Sequence, residues 1–217
     1  GNGGSVTHSA VTDTYANLTS TTASKAGANS EYIKRKTVVV TTASTLANIA
    51  ALKTVVLDGQ NNVSFTHNAI HDTRALITAD VNAGGANVFD KTVTVSDAVT
   101  IAQGEALELS VTGGGNATGT LAYSKVTDSA SNLADDAATN TGGTKAITGK
   151  TVVIDTATSL SQLNTIKTRV DASNQNSGSV THTLVTDTLG DLNDTATNKA
   201  GSGQANIVGK GVTVEDS

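Results

Sequence analysis

The strongest constraint on this chain is an internal repeat of about 58 residues, because such a repeat is usually one structural unit that stacks on its neighbours. The phrase VTDTYANL returns as IHDTRALI, VTDSASNL and VTDTLGDL. Apolar residues recur two positions before and five positions after the aspartate of each phrase. These aspartates lie 59, 56 and 59 residues apart, and they are Asp13, Asp72, Asp128 and Asp187.

A second block lies about midway between the aspartate phrases. It reads KTVVV, KTVTV, KTVVI and KGVTV, with its third residue at Val38, Val93, Val152 and Val212. Both blocks combine a β-branched stretch, a step of Asp, Thr or Ser, and a segment with Leu or Ile at helical spacing. The repeat therefore divides into alternating half-units of about 29 residues. We call those with the aspartate phrase type A and those with the lysine block type B.

Each half-unit reads as a strand, a polar corner, a short helix or helical turn, and a loop rich in Gly and Asn. After KTVVV, for example, Leu46, Ile49 and Leu52 share one helical face. Polar corner side chains are expected to cap the helices by accepting amide hydrogens of the first turn. The predicted caps are Asp97, Asp155 and Thr41 or Thr42.

This pattern predicts a repeat solenoid that is mainly β, with stacked short strands and short helices or helical turns. Residues 1–217 would form a single elongated repeat domain, with repeats at about 5–62, 63–118, 119–178 and 179–217, the last incomplete. The absence of Pro suits strands that are paired on both sides. The alternative fold is a tandem of β-sandwich domains, which would need about 100 residues each and usually a Trp or tyrosine-corner signature.

The composition excludes several classes of function. The chain has no Cys, so disulfides, Cys-ligated zinc and thiol nucleophiles are excluded. A net charge of −5 gives no reason to expect nucleic acid as a partner, and no apolar run is long enough to insert into a membrane. Motifs of serine hydrolases, HExxH metalloenzymes and P-loop proteins are missing. We therefore expect no catalytic residues, no enzymatic activity and no organic cofactor.

The repeated aspartate is the most constant polar residue, and it has two interpretations. As a corner residue, it would accept hydrogen bonds from backbone amides just past the strand. As a calcium ligand, it would act together with carboxylates and carbonyls of successive half-units. The usual calcium-loop signatures are absent, so calcium is only a weak candidate cofactor. The weak calcium candidates are Asp13, Asp72, Asp128 and Asp187.

A planar ring recurs five residues before each repeated aspartate. A row of histidines could be a row of ligands or a pH-sensitive stripe. A tyrosine at one of the positions instead favours a structural ladder, because it keeps the plane and loses the imidazole. We call this set the ring ladder, and it consists of His8, His67, Tyr123 and His182.

The chain begins almost directly on a strand and ends on another, with no atypical polar unit to cap either one. Open strand edges are templates for pairing with further strands. We therefore expect head-to-tail self-association into a homopolymer, or pairing with further repeats of a longer chain. The predicted assembly edges are Val6, His8, Val212 and Val214.

The phrase VTDTxxNL, followed by the block KTVTVSDA, resembles the repeats of very large bacterial cell-surface proteins that carry many copies of a "tDtaanl" unit. The likeness spans nearly the whole chain, and His71 and Arg74 are its main departures. The resemblance implies a surface-layer, adhesion or matrix component, and it carries no catalytic residues.

The expected function is that of an extracellular structural repeat protein at the cell surface. It would form or decorate a surface layer, filament or matrix by end-to-end stacking and self-association. The alternative is a calcium-dependent adhesin segment that binds surface glycans, with surface polysaccharide as its partner. In an organism that glycosylates its surface proteins, the chain also carries N-x-S/T acceptors at Asn17, Asn62, Asn116 and Asn193.

Overall fold

A computed structural model of the chain describes residues 8–22, 27, 30–59, 62–112, 118–139, 146–172 and 178–215. These residues group into two compact units. Unit 1 contains Gly1–Ser96 and Glu108–Ala122, and unit 2 contains Asp97–Leu107 and Tyr123–Ser217. The division into a single repeat domain with the four boundaries given above stays a prediction.

Strands and helices alternate along the described chain. The strands are β1 (Ala10–Asp13), β2 (Thr37–Val40), β3 (Phe65–His67), β4 (Ala69–Asp72), β5 (Thr92–Val95), β6 (Thr120–Tyr123), β7 (Lys125–Asp128), β8 (Thr151–Ile154), β9 (Ser179–Thr181), β10 (Leu184–Thr188) and β11 (Gly211–Glu215). The helices are α1 (Tyr15–Leu18), α2 (Leu46–Leu57), α3 (Arg74–Asn82), α4 (Ile101–Thr112), α5 (Ala130–Thr139), α6 (Leu160–Val170) and α7 (Leu189–Asn193), and a 3-10 turn covers Ser202–Gln204.

The strands form small parallel sheets. Their orders are β1-β2-β3, β4-β5-β6, β7-β8-β9 and β10-β11. The pairings of β1 with β2, β2 with β3, β4 with β5, β7 with β8, β8 with β9 and β10 with β11 are all parallel. Sandwich domains pair their strands antiparallel, and the described strands close into no barrel. The fold is therefore not the tandem of β-sandwiches considered as the alternative.

The fold is mixed α/β, which corrects the prediction of a mainly β chain. Helices contribute more of the described residues than strands do. The type B helices α2, α4 and α6 have 11 or 12 residues, so they are full helices rather than single helical turns. Pro-free segments rich in Ala and Leu favour this extension, and the apolar face gains burial with each further turn.

The core follows the repeat. In the type B strands, alternate side chains point inward, and Val38, Val93 and Val152 are completely buried. In the type A strands, the apolar residue two positions before the aspartate is completely buried at Ile70, Val126 and Val185. Helices cover these strands with residues at helical spacing, as α6 does with Leu160, Leu163, Ile166 and Val170, all of them buried.

The helix caps lie three to four residues later than the sequence pattern predicts. Thr45 caps α2, and Ser159 caps α6 in a capping box with Gln162. Thr100 Oγ1 accepts a hydrogen bond from Gln103 N at 3.2 Å at the start of α4. The predicted caps Asp97, Asp155 and Thr41 or Thr42 were wrong, because one more residue pairs with the next type A strand before each helix begins. These bridge residues are Ser44, Val99 and Thr158, opposite Ile70, Val126 and Val185.

Among the described residues, no helix is both long enough and apolar enough to cross a membrane.

Candidate functional site

At Asp72, Asp128 and Asp187 both carboxylate oxygens accept backbone amides, Oδ1 within its own half-unit and Oδ2 from the preceding half-unit. Oδ1 of Asp128 accepts a hydrogen bond from Ser129 N at 2.8 Å, and Oδ2 accepts one from Ile101 N at 3.0 Å. Ile101 is the first residue of α4, which belongs to the preceding type B half-unit. Asp72 and Asp187 make the same pair of bonds, to Thr73 N and Leu46 N and to Thr188 N and Leu160 N.

Hydroxyl groups of the type B corners make the reciprocal connection. Thr42 Oγ1 accepts a hydrogen bond from Tyr15 N at 3.0 Å, and Thr156 Oγ1 accepts one from Ala130 N at 2.9 Å. Tyr15 and Ala130 are the first residues of type A helices. Each of these hydroxyl groups thus accepts a hydrogen bond from the first amide of a helix in a neighbouring half-unit. The first amides of a helix have no partner within the helix, so this bond satisfies one of them. Thr42 is therefore a capping residue, but for α1 rather than for α2, the helix that the sequence pattern predicts.

The surroundings of two of the calcium candidates, Asp13 and Asp128, show which groups lie near their carboxylates. Asp13 Oδ1 accepts hydrogen bonds from Thr14 N and from Asn17 Nδ2, at 2.7 and 2.8 Å. In unit 2 an open groove of about 270 Å³ is lined by Glu105, Asp128 and other acidic side chains. Within the described ranges, no group of three or more His, Asp or Glu side chains is arranged to hold a metal ion. Calcium binding stays a prediction.

The histidines of the ring ladder point at backbone carbonyls in the loops that precede the type B strands. His67 Nε2 lies 2.7 Å from Asn87 O, His182 Nε2 lies 2.9 Å from Asn206 O, and His8 Nε2 lies 2.6 Å from Tyr32 O. A carbonyl can only accept, so Nε2 carries the proton in each case. His67 and His182 are buried and therefore face inward. The bond attaches each ring to a loop about 20 residues further along the chain.

Burial lowers the pKa of both inward-facing histidines below the ordinary value of 6.5. For His67 the charges of Lys91 and Lys53 lower the pKa further, while the Asn87 carbonyl and Asp80 oppose the shift. Around His182, Lys210 and Lys167 also lower the pKa, and the Asn206 carbonyl opposes them.

Asn206 is the centre of the polar contacts around His182. Its backbone oxygen accepts a hydrogen bond from His182 Nε2 at 2.9 Å. Its Oδ1 accepts one from Lys167 Nζ at 2.6 Å, and its Nδ2 donates one to Lys199 O at 2.6 Å. Burial lowers the pKa of Lys167, with Asp171 opposing the shift. The Nδ1 atom of His182 is buried, and no hydrogen-bond partner lies within reach of it. Protonation of this ring would therefore place a second N–H where nothing accepts it.

Tyr123 occupies space that a helix side chain fills elsewhere. The fourth residue of the type B helix is Ile49 in α2 and Leu163 in α6, but it is Gly104 in α4. A Cβ at Gly104 would lie 2.9 Å from the Tyr123 hydroxyl and 3.0 Å from its Cζ. Tyr123 is also held by Lys150, whose Nζ donates to its backbone oxygen at 2.6 Å and lies 4.6 Å from the ring centre. Sequence reasoning missed this pair, although the glycine interrupts the helical pattern.

The last type B strand differs from the others in exposure. Every residue of β11 is exposed, including Val212 at 43% and Val214 at 53%. The equivalent residues of β8, Val152 and Ile154, are 0% and 1% exposed. Within its sheet, β11 pairs on one side with β10 and forms the edge.

Of the four predicted assembly edges, three lie among the described residues. Val212 and Val214 lie on β11, and His8 lies two residues before β1, which is the edge of its own sheet. Val6 lies outside the described residues.

Comparison with protein-family models, with curated proteins and with solved structures finds no match for this chain.

Proposed function

We propose that this chain is an extracellular structural repeat protein that builds a cell-surface layer, filament or matrix by self-association. Its half-units would stack in one continuous solenoid, and the exposed edge at β11 would receive the next half-unit. The resemblance of the VTDTxxNL phrase to repeats of large bacterial surface proteins supports the extracellular location. The absence of Cys and Met also suits an oxidising environment, because these are the side chains most easily oxidised.

The observation that carries the proposal is the contrast between equivalent valines. Val152 and Ile154 are buried, whereas Val212 and Val214 are about half exposed. Two half-exposed valines on a strand edge form a small apolar surface, next to backbone groups able to pair with a further strand. Covering them would yield roughly 25 cal/mol for each Å² of apolar surface removed from water.

The polar residues that recur with the repeat support a structural role. The carboxylates of Asp72, Asp128 and Asp187 each accept one backbone amide of their own half-unit and one of the preceding half-unit. The histidines of the ring ladder bond to backbone carbonyls. These side chains form hydrogen bonds within the chain. A protein that works by stacking needs its repeated polar residues for such internal contacts.

Sedimentation velocity over a range of protein concentrations tests the proposal. The wild-type chain should shift to larger species as concentration rises. Val214→Lys should remove this shift, because it places a charge on the apolar edge. Val153→Lys is the matched control: Val153 is an exposed valine on an equivalent strand whose edges are both paired. It should behave as the wild type does.

Two results of this experiment would contradict the proposal. One is a wild-type chain that sediments as a monomer at every concentration, and the other is a Val214→Lys chain that still assembles. A calcium chelator added to the same samples separates the proposal from the calcium-dependent adhesin. Chelation should leave the distribution of species unchanged, whereas dissociation would favour the adhesin.

A further inference from the structure

We propose that Lys167 and Asn206 form an intramolecular isopeptide bond, in which the lysine side chain is joined to the asparagine side chain with release of ammonia. Both residues belong to unit 2: Lys167 lies on α6, and Asn206 lies in the loop that precedes β11. The bond is a cross-link within one chain, so it does not depend on the proposed self-association.

The two reacting groups are already in contact. Lys167 Nζ donates a hydrogen bond to Asn206 Oδ1 at 2.6 Å, although the two residues lie 39 positions apart in the chain. A carbonyl bond is about 1.2 Å long, so Nζ lies within about 3.8 Å of Cγ, the carbon that it would attack. Reacting atoms in a productive arrangement lie about 3–3.5 Å apart. A small rotation within the flexible lysine stem therefore brings the amine to the carbon.

The side-chain amide of Asn206 is fixed in a buried position. Only 8% of the residue is exposed. Its Nδ2 donates a hydrogen bond to Lys199 O at 2.6 Å, and its backbone N donates one to Ala200 O at 3.0 Å. Its backbone O accepts a hydrogen bond from His182 Nε2 at 2.9 Å. These bonds hold Cγ in place for the amine, and such fixed geometry is what accelerates a reaction within one molecule.

The surroundings of Lys167 favour the neutral, nucleophilic form of its amine. The atom that Nζ contacts is an amide oxygen and not a carboxylate oxygen. Burial lowers the pKa of Lys167; the charge of Asp171 opposes this shift, and the charge of Lys210 adds to it. A lysine amine that is removed from water beside another cation is a better nucleophile near neutral pH, because less of it is protonated.

The bond forms without any further reactant. The lone pair of neutral Lys167 Nζ adds to Asn206 Cγ, and the π electrons of the carbonyl move to Oδ1. The carbonyl then re-forms, the bond between Cγ and Nδ2 breaks, and one proton passes from Nζ to Nδ2, which leaves as ammonia. His182 can carry this proton, because its buried Nδ1 has no hydrogen-bond partner and its ring lies near enough to Lys167 for the lysine charge to lower its pKa.

The equivalent pair in unit 1 provides an internal comparison. Lys53 on α2 and Asn87 hold the positions that Lys167 and Asn206 hold in unit 2. Here Asp80 binds the asparagine, accepting hydrogen bonds from Asn87 Nδ2 at 2.6 Å and from Asn87 N at 3.2 Å. Lys53 is exposed, so its amine is hydrated. We therefore expect the bond in unit 2 and not in unit 1.

Mass spectrometry of the denatured wild-type chain tests the bond. After incubation of the folded protein at mildly alkaline pH, the mass should be lower than the sequence requires by one ammonia molecule. Trypsin should then fail to cleave after Lys167, and it should release residues 151–169 joined to residues 200–210. Lys167→Arg keeps a cationic donor that is not a nucleophile, so this chain should have its full mass. Lys53→Arg is the matched control and should still lack one ammonia molecule.

Three results would overturn the inference. The first is a wild-type chain that keeps its full mass after incubation. The second is a loss of ammonia in which residues 200–210 are released as a separate peptide, because Asn206 would then have closed on its own backbone as a succinimide. The third is a loss of ammonia that persists in Lys167→Arg. Each of them would leave the proposed self-association standing, since sedimentation tests it separately.

Discussion

At the scale of single residues, Gly104 and Tyr123 act as a pair. Where α2 and α6 carry Ile49 and Leu163, α4 carries glycine, and the ring of Tyr123 lies over the vacated position. The two substitutions belong together because a larger residue at position 104 would collide with the tyrosine ring.

We therefore predict that Gly104→Leu lowers the free energy of unfolding by about 1–3 kcal/mol, the usual cost of overpacking. Adding Tyr123→His should restore part of this loss, since leucine and histidine occur together at Leu163 and His182. Urea unfolding of both single variants and the double variant measures the coupling, which should be about 0.5–3 kcal/mol. Strictly additive effects would show that the two residues do not share this space.

The buried histidines predict a pH dependence of stability. Burial lowers the pKa of His67 and His182 in the folded chain. The unfolded chain therefore binds more protons as the pH falls below about 6.5, and protonation favours unfolding. The contribution of these two histidines to stability should be constant above that pH and should fall below it, by at most about 1.4 kcal/mol per pH unit for each histidine.

A variant with His67→Gln and His182→Gln should lose most of this pH dependence, because the glutamine amide can still donate to the carbonyl but does not titrate there. His71→Gln is the matched control, since His71 is exposed on β4. Melting temperatures between pH 8 and pH 5 provide the measurement. An equally steep acid loss in the double variant would assign the pH dependence to other groups.

At the scale of elements, the aspartate corner determines how a strand meets the helix of the preceding half-unit. Asp128→Asn would replace one of the two accepting oxygens by a donor, facing an amide that also donates. We predict a loss of about 1–3 kcal/mol in the free energy of unfolding, the usual cost of an unsatisfied buried group. Asp155→Asn, at an exposed corner, is the control and should change stability by less than about 0.5 kcal/mol. Equal effects of the two variants in urea unfolding would contradict the role of the corner.

Much of the arrangement of elements could be predicted from the sequence. The alternation of β-branched stretches with Leu and Ile at helical spacing indicated strands such as β8 and helices such as α6. Cap positions could not be read in the same way, because the bridge residues Ser44, Val99 and Thr158 continue the pairing for one residue beyond the corner. Helix length was underestimated because tertiary burial, rather than local pattern alone, extends α2 and α4.

The candidate site was predictable only in part. The strand that holds Val212 and Val214 could be predicted from its place in the repeat, and the role of these two valines in assembly stays a prediction. The pairing of Gly104 with Tyr123 could not, since it depends on which side chains meet across 19 residues of chain. The same limit applies to Asn206, whose carbonyl oxygen accepts a hydrogen bond from His182, 24 residues earlier in the chain.

At the scale of the whole molecule, the proposed function lies at the edges of the repeat rather than in a pocket. Neighbouring half-units satisfy each other's backbone hydrogen-bonding groups through parallel strand pairing and through the hydrogen bonds of the corner side chains. At β11 the same residues stay exposed, so the interaction that holds the chain together is also the one proposed to join copies. Assembly should accordingly protect the backbone amides of β11 from hydrogen exchange and should leave the exchange of the interior strands unchanged.

Amide hydrogen exchange of residues 211–215 at low and high protein concentration tests this claim most directly. We predict rapid exchange at the amides of Val212 and Val214 in dilute solution and strong protection at concentrations where larger species form. The interior amides of Val152 and Ile154 should be protected under both conditions. Rapid exchange throughout β11 in samples that have assembled would contradict assembly through this strand, because the copies would then be joined through another surface.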